Sequence, residues 1–414
     1  MKTRIVKIED IKQQRDILHE AGEILRSGGL VAFPTETVYG LGANGLDGEA
    51  CAGIYAAKGR PSDNPLILHV ANRSMVEQIA VVIPPLAEKL MAAFCPGPIT
   101  LIMQRKAIVP DRITGGLPTV GIRMPENDVA RALIRAAGVP IAAPSANISG
   151  RPSPTTAELT ARDLDGRVPL ILDGGACRFG VESTIVDCTG DQAVILRPGA
   201  ITREMLVELL GEDMVILDPA LVGADVVPKA PGMKYTHYAP KAPLTLIEGM
   251  PTRMARAFQR EVTRLQGEGH VVGVIASHEV LNELRGLLPA NLMADYGHQG
   301  SLPAIAANIY EALRSFDAGD MLRTLYSVTG ITEDQRHLLE HTLKLAVSDL
   351  SRLLYKEKIE SYIKRLDAVI APEEASRTKS GLRRTSREKK EPADKVKKEK
   401  EERKEPKQKE KAKK

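Results

Sequence analysis

The chain has 414 residues, of which 43% are hydrophobic and 3% aromatic, and it carries a formal net charge of +4. This length predicts two domains and a possible third piece. No apolar run of about 18 residues occurs, so we expect no membrane span, and the first residues, MKTRI (1–5), lack the apolar core of a signal peptide. The four cysteines are far apart and form no Cys-x-x-Cys pair, so we expect no structural zinc, no disulfide framework and a cytoplasmic protein.

Residues 1–211 alternate short apolar runs with helical patterns, which is typical of an α/β domain. The predicted helices cover residues 11–26, 49–58, 129–137 and 202–210. The predicted strands cover residues 30–33, 66–70, 99–103, 120–123, 170–172, 184–186 and 194–196. These strands are too irregularly spaced for a simple doubly wound repeat.

A linker and a second domain are predicted after residue 211. Residues 212–243 are rich in proline and glycine, which is typical of a linker. Their segment PGMKYTHYAP (231–240) also holds aromatic residues, and loops with such residues often carry function. Residues 244–349 alternate strands and helices more regularly, which predicts a small three-layer Rossmann-like domain, followed by a helical extension over 350–370. The predicted elements are strands 244–247, 271–275 and 322–328, helices 254–265 and 303–316, and a helix from 333 towards 366.

Residues 371–414 form a charged tail. They hold 18 Lys/Arg and 10 Asp/Glu, which leaves 39 and 43 for the rest of the chain. The tail has almost no large apolar residues, so we expect it to be disordered. The alternative is that its lysines make weak contact with RNA. The rest of the chain is mildly acidic and does not require a nucleic-acid partner.

Two short patterns that would suggest other chemistry are discounted. The segment GLGANG (40–45) matches the dinucleotide fingerprint formally, but the acidic residue Asp63 precedes the next strand instead of ending it. His337 and His341 are spaced like ligands of an inverted zinc-protease motif, yet no third ligand is evident. No Walker A loop occurs either, so an ATP site would use scattered basic side chains and backbone donors.

A cluster of cations and polar residues indicates a functional site. Lys58 and Arg60 lie between a predicted helix and an apolar strand, and capping of the helix C-terminus would explain either one alone. Further polar residues also follow apolar, strand-like runs: Arg123, Ser145, Asn147, Ser183 and Arg197. Ligand groups converge at strand ends in α/β proteins, and Arg and Lys hold phosphate, so the sequence favours a nucleotide-using enzyme.

These segments resemble the L-threonylcarbamoyladenylate synthase family in its long two-domain form. The resemblance covers residues 1–349 and is more specific in the first domain than beyond residue 244. It is carried by FPTETVYGLG (33–42), KGRP (58–61), NPL (64–66), PGP (96–98), RMP (123–125), PSAN (144–147), GVEST (180–184), RPG (197–199) and the linker segment 231–240. It implies a twisted mixed-sheet YrdC-like domain, a small three-layer Rossmann-like domain and a disordered charged tail.

The resemblance implies a nucleotidyltransferase that makes threonylcarbamoyl-AMP and pyrophosphate from L-threonine, bicarbonate or CO₂, and ATP with Mg²⁺. The product would serve the threonylcarbamoyladenosine modification of tRNA and would pass to a separate tRNA-modifying transferase complex. Because the product can diffuse, the enzyme itself need not bind tRNA, which agrees with the acidic balance of residues 1–370.

The resemblance also implies roles for individual residues, with Lys58 and Arg60 as the catalytic pair. The implied ATP contacts are Lys58, Arg60, Ser62, Thr119, Ser145, Asn147, Arg151, Arg197 and Tyr235. The implied L-threonine contacts are Thr35, His69, Arg123, Ala143 and Ser183. Tyr235, together with His237, would close over the nucleotide as a lid that excludes water. No protein ligand for a metal is expected.

Two other functions stay open at this point. A non-catalytic nucleotide- or RNA-binding module would fit the basic tail and a concave positive surface, and salt-dependent RNA binding without turnover would favour it. A carbamoyl-adenylate enzyme of the hydrogenase-maturation type shares the implied fold and adenylate chemistry. Such enzymes usually carry a zinc-finger-like cysteine array, which the four separated cysteines of this chain do not provide.

Overall fold

The computed structural model describes residues 2–222, 244–247, 253–299, 301–316 and 322–326. The chain divides into two compact units, Met1–Lys356 and Glu357–Lys414, and every described residue belongs to the first. Most of the predicted linker, the helix from residue 333, the helical extension and the charged tail lie outside the described residues. Within the described ranges, no helix has both the length and the apolar character that crossing a membrane requires.

The described ranges contain fifteen strands and eleven α-helices. The strands are β1 (Arg4–Lys7), β2 (Val31–Phe33), β3 (Gly40–Asn44), β4 (Ile67–His69), β5 (Ile99–Gln104), β6 (Thr119–Arg123), β7 (Ile141–Ala142), β8 (Leu170–Asp173), β9 (Thr184–Asp187), β10 (Ala193–Arg197), β11 (Val215–Leu217), β12 (Leu244–Leu246), β13 (Val271–Ala276), β14 (Met293–Asp295) and β15 (Leu322–Tyr326). The helices are α1 (Arg15–Arg26), α2 (Gly48–Lys58), α3 (Arg73–Ile79), α4 (Pro85–Phe94), α5 (Asp111–Thr114), α6 (Asp128–Ala137), α7 (Ala157–Leu164), α8 (Arg203–Leu210), α9 (Met254–Gly267), α10 (His278–Glu283) and α11 (Leu302–Arg314).

The first eleven strands form one mixed sheet, in the order β1-β8-β2-β3-β7-β4-β6-β5-β9-β10-β11. The pairs β1–β8, β8–β2, β4–β6, β5–β9 and β10–β11 are parallel, and the other neighbours are antiparallel. This arrangement confirms the expected mixed-sheet α/β fold. Strand β11 carries the sheet past residue 211, where the sequence suggests that the first domain ends.

The remaining strands form a four-stranded parallel sheet, in the order β12-β15-β13-β14. Parallel neighbours need crossover connections, and α9, α10 and α11 follow β12, β13 and β14 in the chain. Apolar residues recur on one face of α9, where Phe258, Val262 and Leu265 join a core cluster with Val272 and Val274 of β13. The alternation and the parallel sheet confirm the expected Rossmann-like second part.

The core beside the first sheet lies around α1, α6 and the strands β2 and β8. Leu18 and Leu25 of α1 and Leu133 of α6 are buried in one cluster with Phe33 of β2. Each such side chain contributes about 1.5–3 kcal/mol by leaving water. Because β2 ends at Phe33 within this core, the packing fixes where the following segment, 34–39, begins.

Two elements differ from the sequence prediction. Helix α1 starts at Arg15, later than expected, because the carboxylate of Asp10 accepts hydrogen bonds from the backbone N–H groups of Lys12 and Gln13 and holds a turn there. Residues 40–44, which the sequence presents as part of a turn, form strand β3 between β2 and β7. The glycines conceal this strand, since glycine is depleted in strands.

Glycine in β3 allows the neighbouring strands to approach closely. A Cβ atom on Gly42 would lie 2.8 Å from Cγ2 of Ile141 and 2.9 Å from Cε1 of Phe33. Both distances are too short for two carbon atoms, so a larger residue would push the side chains of β2 and β7 away from β3.

We therefore expect Gly42→Ala to lower the free energy of unfolding by about 1–3 kcal/mol, the usual cost of overpacking a core. Gly190→Ala is the matched control, because an added Cβ atom there meets no atom within 4 Å. Urea unfolding of both variants and the parent chain measures the difference. Equal midpoints for the two variants would contradict the close packing of β3.

Candidate active site

A single cavity brings together most of the residues singled out from the sequence. It has a volume of about 750 Å³ including its open mouth. Its lining includes Thr35, Lys58, Arg60, His69, Arg123, Ala143, Ser145, Asn147, Ser183 and Arg197. Residues that the sequence assigns to two different substrates thus line the same cavity.

Other predicted site residues are not among the described residues that line this cavity. Thr119 begins β6, at the end of the strand opposite to Arg123, and Ser62 is exposed outside the lining. Tyr235 and His237, the predicted lid residues, lie outside the described residues. Among the described residues, the structure therefore brings together the strand-end residues and leaves Thr119 and Ser62 outside the lining.

Two strand ends place side chains expected to bind the amino acid. Strands β4 and β6 are parallel neighbours, and their last residues, His69 and Arg123, are direct partners in the register. Both side chains are buried, and the ring of His69 meets Phe33 edge-on with 6.0 Å between ring centroids. Because parallel strands end at the same edge of a sheet, this register puts the imidazole and the guanidinium on one wall of the cavity.

A buried ion pair holds Arg123. Its Nη2 lies 2.9 Å from Oε1 of Glu36, and neither side chain is more than 5% exposed. The two groups are close but poorly aligned: among the described residues, Nε and Nη2 of Arg123 and both oxygens of Glu36 have no hydrogen-bond partner. Arg123 lines the cavity and Glu36 does not. The carboxylate thus compensates the buried charge and leaves guanidinium donors for a ligand.

Lys58, the last residue of α2, is buried beneath the loop that follows β7. Its ammonium donates to the carbonyl oxygen of Ser145, to that of Asn147 at 2.5 Å and to Oδ1 of Asn147 at 3.3 Å. Burial, together with repulsion from Arg60, lowers the pKa of Lys58 well below its usual range. The three acceptors oppose this effect, because only the charged ammonium has three donors. Lys58 therefore ties the end of the helix to this loop.

The same loop is fixed to the sheet through its backbone. The N–H of Leu41 donates to the carbonyl oxygen of Pro144 at 2.9 Å, and the N–H of Ala146 donates to that of Tyr39 at 2.7 Å. These bonds continue the pairing of β3 with β7 into the loop. The loop is consequently part of the sheet's edge and is held in place before any ligand binds.

Side chains of the loop also bind one another. Oγ of Ser145 donates to Oδ1 of Asn147 at 2.5 Å, and Nδ2 of Asn147 donates to the carbonyl oxygen of Arg151 at 2.7 Å. Arg151 itself is outside the cavity lining, since its Nη1 donates to Oδ1 of Asp163 at 2.7 Å. Arg151 thus contacts the loop through its carbonyl oxygen, and its direct contact with ATP stays a prediction.

Short-range contacts hold further residues of the lining. Arg197, at the end of β10, donates from Nε and Nη2 to the carbonyl oxygen of Ser183 at 3.2 and 2.9 Å. Oγ of Ser183 lies 2.8 Å from Oγ1 of Thr100. The hydroxyl of Thr35 donates to the carbonyl oxygen of Val38 at 2.7 Å, which closes a local turn. These polar groups are ordered by the protein itself.

The described ranges hold no group of three or more His, Cys, Asp or Glu side chains that could bind a metal. All four cysteines are free, as the sequence suggests, and burial raises the pKa of the Cys51 thiol to about 12. The described part of the cavity therefore offers cations for anionic ligands and no set of protein ligands for a metal.

Comparisons with known proteins identify the family. A family profile described as "Telomere recombination" matches residues 23–199, and one described as "Threonylcarbamoyl-AMP synthase, C-terminal domain" matches residues 201–350. The threonylcarbamoyl-AMP synthase of Bacillus subtilis is 49% identical over 300 residues, which is 72% of this chain and 84% of that protein. The chain belongs to the threonylcarbamoyl-AMP synthase family.

Further members of the threonylcarbamoyl-AMP synthase family agree with this assignment. The Pyrococcus abyssi enzyme is 45% identical over 316 residues, covering 76% of this chain and 89% of that protein. The crystal structure of P. abyssi Sua5 complexed with L-threonine matches with a TM-score of 0.73 and 40% identity, over 87% of this chain and 98% of that chain. The family, the fold class and the enzymatic function expected from the sequence are confirmed.

Sequence reasoning missed Glu36 and Glu182, although both lie in segments that carry the family resemblance. Glu182 lines the cavity, and Glu36 supports Arg123. A signal was available for Glu36, because a carboxylate within a segment of buried residues requires a cation nearby. The sequence could not say which cation, since Arg123 is distant in the chain and meets Glu36 only through the order of the strands.

Burial sets the protonation state of His69. Loss of water, with the nearby charge of Arg123, lowers the pKa of His69 to about 3. Its Nδ1 lies 3.2 Å from the carbonyl oxygen of Ile67, which accepts a hydrogen bond in the tautomer that carries the proton on Nδ1. His69 is therefore an uncharged hydrogen-bonding group at physiological pH.

This pKa predicts how stability depends on pH. The unfolded chain protonates His69 near pH 6.5, whereas the folded chain does so only near pH 3. The contribution of His69 to the free energy of unfolding is therefore complete above pH 6.5 and is lost as the pH falls towards 3. Below pH 6.5 the free energy of unfolding of the parent chain should fall by up to about 1.4 kcal/mol per pH unit more than that of His69→Gln. Urea unfolding between pH 5 and 7.5 measures this difference. His19→Gln, at an exposed histidine, should keep the parent slope, and an equal slope for His69→Gln would contradict the burial of a neutral ring.

Proposed function

We propose that this chain condenses L-threonine, bicarbonate or CO₂, and ATP into threonylcarbamoyl-AMP and pyrophosphate. The observation that carries the proposal is Arg123, a buried guanidinium in the cavity wall with donors left over from its ion pair. Arg60 and Arg197 line the same cavity and supply positive charge for phosphates. Family membership and the L-threonine complex of the P. abyssi relative support the choice of amino acid.

On the amino-acid side, Arg123 binds the α-carboxylate through its planar donors, and Glu36 keeps the guanidinium charge compensated. We assign the amine and the hydroxyl of L-threonine to contacts with Thr35, the neutral His69 and Ser183. A site that hydrogen-bonds a hydroxyl rejects an analogue without one, because its own buried polar groups then lose their partner. Ala143 lines this side and limits the space beside the substrate.

On the nucleotide side, Arg60 and Arg197 bind the phosphates, while Ser145 and Asn147 present the polar edge of the loop. Lys58 adds a positive charge directly beneath that loop, so its effect on the phosphates is electrostatic and its contact is with the loop carbonyls. Four other predicted ATP contacts are not among the described lining residues: Ser62, Thr119, Arg151 and Tyr235. We keep Tyr235 as the proposed lid residue.

The reaction needs positioning and charge neutralisation more than a general base. The amine of L-threonine adds to CO₂ and loses a proton, which gives an anionic carbamate. An oxygen of the carbamate then attacks the α-phosphorus of ATP, and the bond to the leaving pyrophosphate breaks. The fixed cations around the cavity counter the charge on both the nucleophile and the leaving group, which is the main protein contribution in phosphoryl-type transfers.

Mg²⁺ would enter with ATP, bound by the phosphates, since this ion usually keeps substrate phosphates and water as ligands. We propose that the product passes to a separate transferase complex that modifies tRNA, with no tRNA binding by residues 1–370. A cytoplasmic location fits the four unpaired cysteines. We propose the catalytic domain as 1–211 extended to β11, the lid as the rest of 212–243, and the small domain as 244–349.

The first test measures pyrophosphate release from ATP by the purified full-length chain with Mg²⁺ and bicarbonate. L-Threonine should support release that depends on bicarbonate, whereas L-valine, which lacks the hydroxyl, should be slower by at least about 100-fold. L-Serine and a reaction without amino acid complete the series. Release that is the same with every amino acid, or absent with all of them, would remove the proposed function.

A second test examines the carboxylate site. Arg123→Lys replaces a planar fork by a point charge, so KM for L-threonine should rise by about 10-fold or more while KM for ATP changes little. Arg135→Lys, on the exposed face of α6, is the matched control. Steady-state kinetics with each substrate varied in turn decide the matter. An equal rise in both KM values would speak against a carboxylate contact at Arg123.

A further inference from the structure

Helix α11 belongs to the domain that contains the second sheet. It contacts two segments of the active-site cavity, the loop after β7 and the segment at Glu182. Tyr310 and Arg314 are one turn apart on the same face of this helix, and both side chains are buried. The helix packs closely at Gly180, where an added Cβ atom would lie 2.5 Å from the carbonyl oxygen of Ala306. Gly180 also has a φ of +69°, so both the close approach and the backbone conformation favour glycine there.

Tyr310 holds the carboxylate of Glu182. Its hydroxyl donates to Oε2 of Glu182 at 2.6 Å, while Oγ of Ser153 donates to Oε1 at 2.6 Å. Glu182 lines the cavity and immediately precedes Ser183. Because a hydrogen bond to a charged group is stronger than one between neutral groups, Tyr310 fixes this segment of the wall from outside the cavity.

Arg314 holds a second carboxylate, that of Asp163, whose side chain has no exposed surface. Its Nη2 donates to Oδ2 of Asp163 at 2.9 Å, and the same oxygen accepts from the backbone N–H of Ile148 at 3.2 Å. Nε of Arg314 donates to the carbonyl oxygen of Pro152 at 3.0 Å. These contacts anchor the later part of the loop after β7, at Ile148 and Pro152. The earlier part, at Ser145 and Asn147, is held by the ammonium of Lys58.

The charge balance at Asp163 depends on α11. Burial by itself would raise the pKa of Asp163, but the hydrogen bonds and charges of Arg314 and Arg151 outweigh burial and hold this pKa below its usual range. The side chain of Arg151 is 41% exposed and that of Arg314 only 7%. Loss of Arg314 would therefore leave a buried carboxylate with a partner that water can reach.

We propose that α11 positions two segments of the active-site cavity, the segment at Glu182 through Tyr310 and the loop after β7 through Arg314 and Asp163, so that both substrate sites are complete only with the second domain docked. Tyr310 and Arg314 are positioning residues, since neither lines the described cavity. The inference rests on the proposed function for its assignment of the loop to ATP. A contact that serves only to hold two domains together would lower stability and leave the substrate constants unchanged.

The test uses the full-length chain with Tyr310→Phe, Arg314→Gln and the conservative Arg314→Lys. Arg314→Gln should lower kcat/KM for ATP by about 10-fold or more, with KM for L-threonine changed by less than about twofold, and Arg314→Lys should recover part of the loss. Tyr310→Phe acts beside Ser183 and should lower kcat/KM for L-threonine by about 10-fold or more. Glu311→Gln, exposed on the same helix, is the matched control. Thermal unfolding confirms that each variant is folded at the assay temperature.

A double-mutant cycle tests the route through Glu182. If Tyr310 acts by holding this carboxylate, Tyr310→Phe should have little further effect on kcat/KM for L-threonine in a Glu182→Gln background. Full additivity of the two losses would overturn that route. Parent-like kinetics of both Tyr310→Phe and Arg314→Gln would overturn the proposal as a whole.

Direct titration with a non-hydrolysable α,β-methylene analogue of ATP separates this inference from the proposed function. If the parent chain binds the analogue but releases no pyrophosphate with L-threonine, the proposed function fails while the effect of α11 on nucleotide affinity is still measured. Weaker binding to Arg314→Gln by about 10-fold would support positioning by α11 in either case, and unchanged affinity would contradict it.

Discussion

The buried ammonium of Lys58 is the interaction on which the active site depends. Its three oxygen acceptors all belong to Ser145 and Asn147, so the charge is satisfied only while the loop after β7 lies against the end of α2. The same loop is bonded to β3, whose glycines permit the close approach of the strands. Losing the loop would remove all three acceptors of the Lys58 amine, which costs more than one ordinary hydrogen bond. This part of the cavity wall is therefore set by the partners that a buried amine requires.

Other charges around the cavity follow the same rule, with partners that are not themselves in the lining. Glu36 compensates Arg123, and Asp163 is shared by Arg151 and Arg314. The groups that face the substrates are thus oriented before substrates arrive, and little of the binding energy is needed to order them. Such preorganisation suits a reaction that joins two anionic reactants, because the protein's main task is to hold positive charge in fixed places.

The two sheets contribute to this site in different ways. The first sheet, its loops and the end of α2 provide the described lining residues, which converge because strands distant in the chain, such as β4, β6 and β7, are neighbours in space. The second sheet's domain provides α11, whose buried side chains hold two carboxylates from outside the cavity. Docking of α11 and order in the loops are consequently coupled, since each buried carboxylate needs its partner across the contact.

The sequence alone predicted the α/β class and the Rossmann-like second part from apolar periodicity, and its short motifs carried the resemblance to the family, because both kinds of signal are local. It also identified ten lining residues, among them Arg123 and Ser183. It missed elements with weak patterns, including α3, α4, α7 and the glycine-rich β3. Only the tertiary structure decided which partners meet. The ammonium of Lys58 reaches an oxygen 87 positions away and the hydroxyl of Tyr310 a carboxylate 128 positions away. Such pairings follow from strand order and register, which no local pattern encodes.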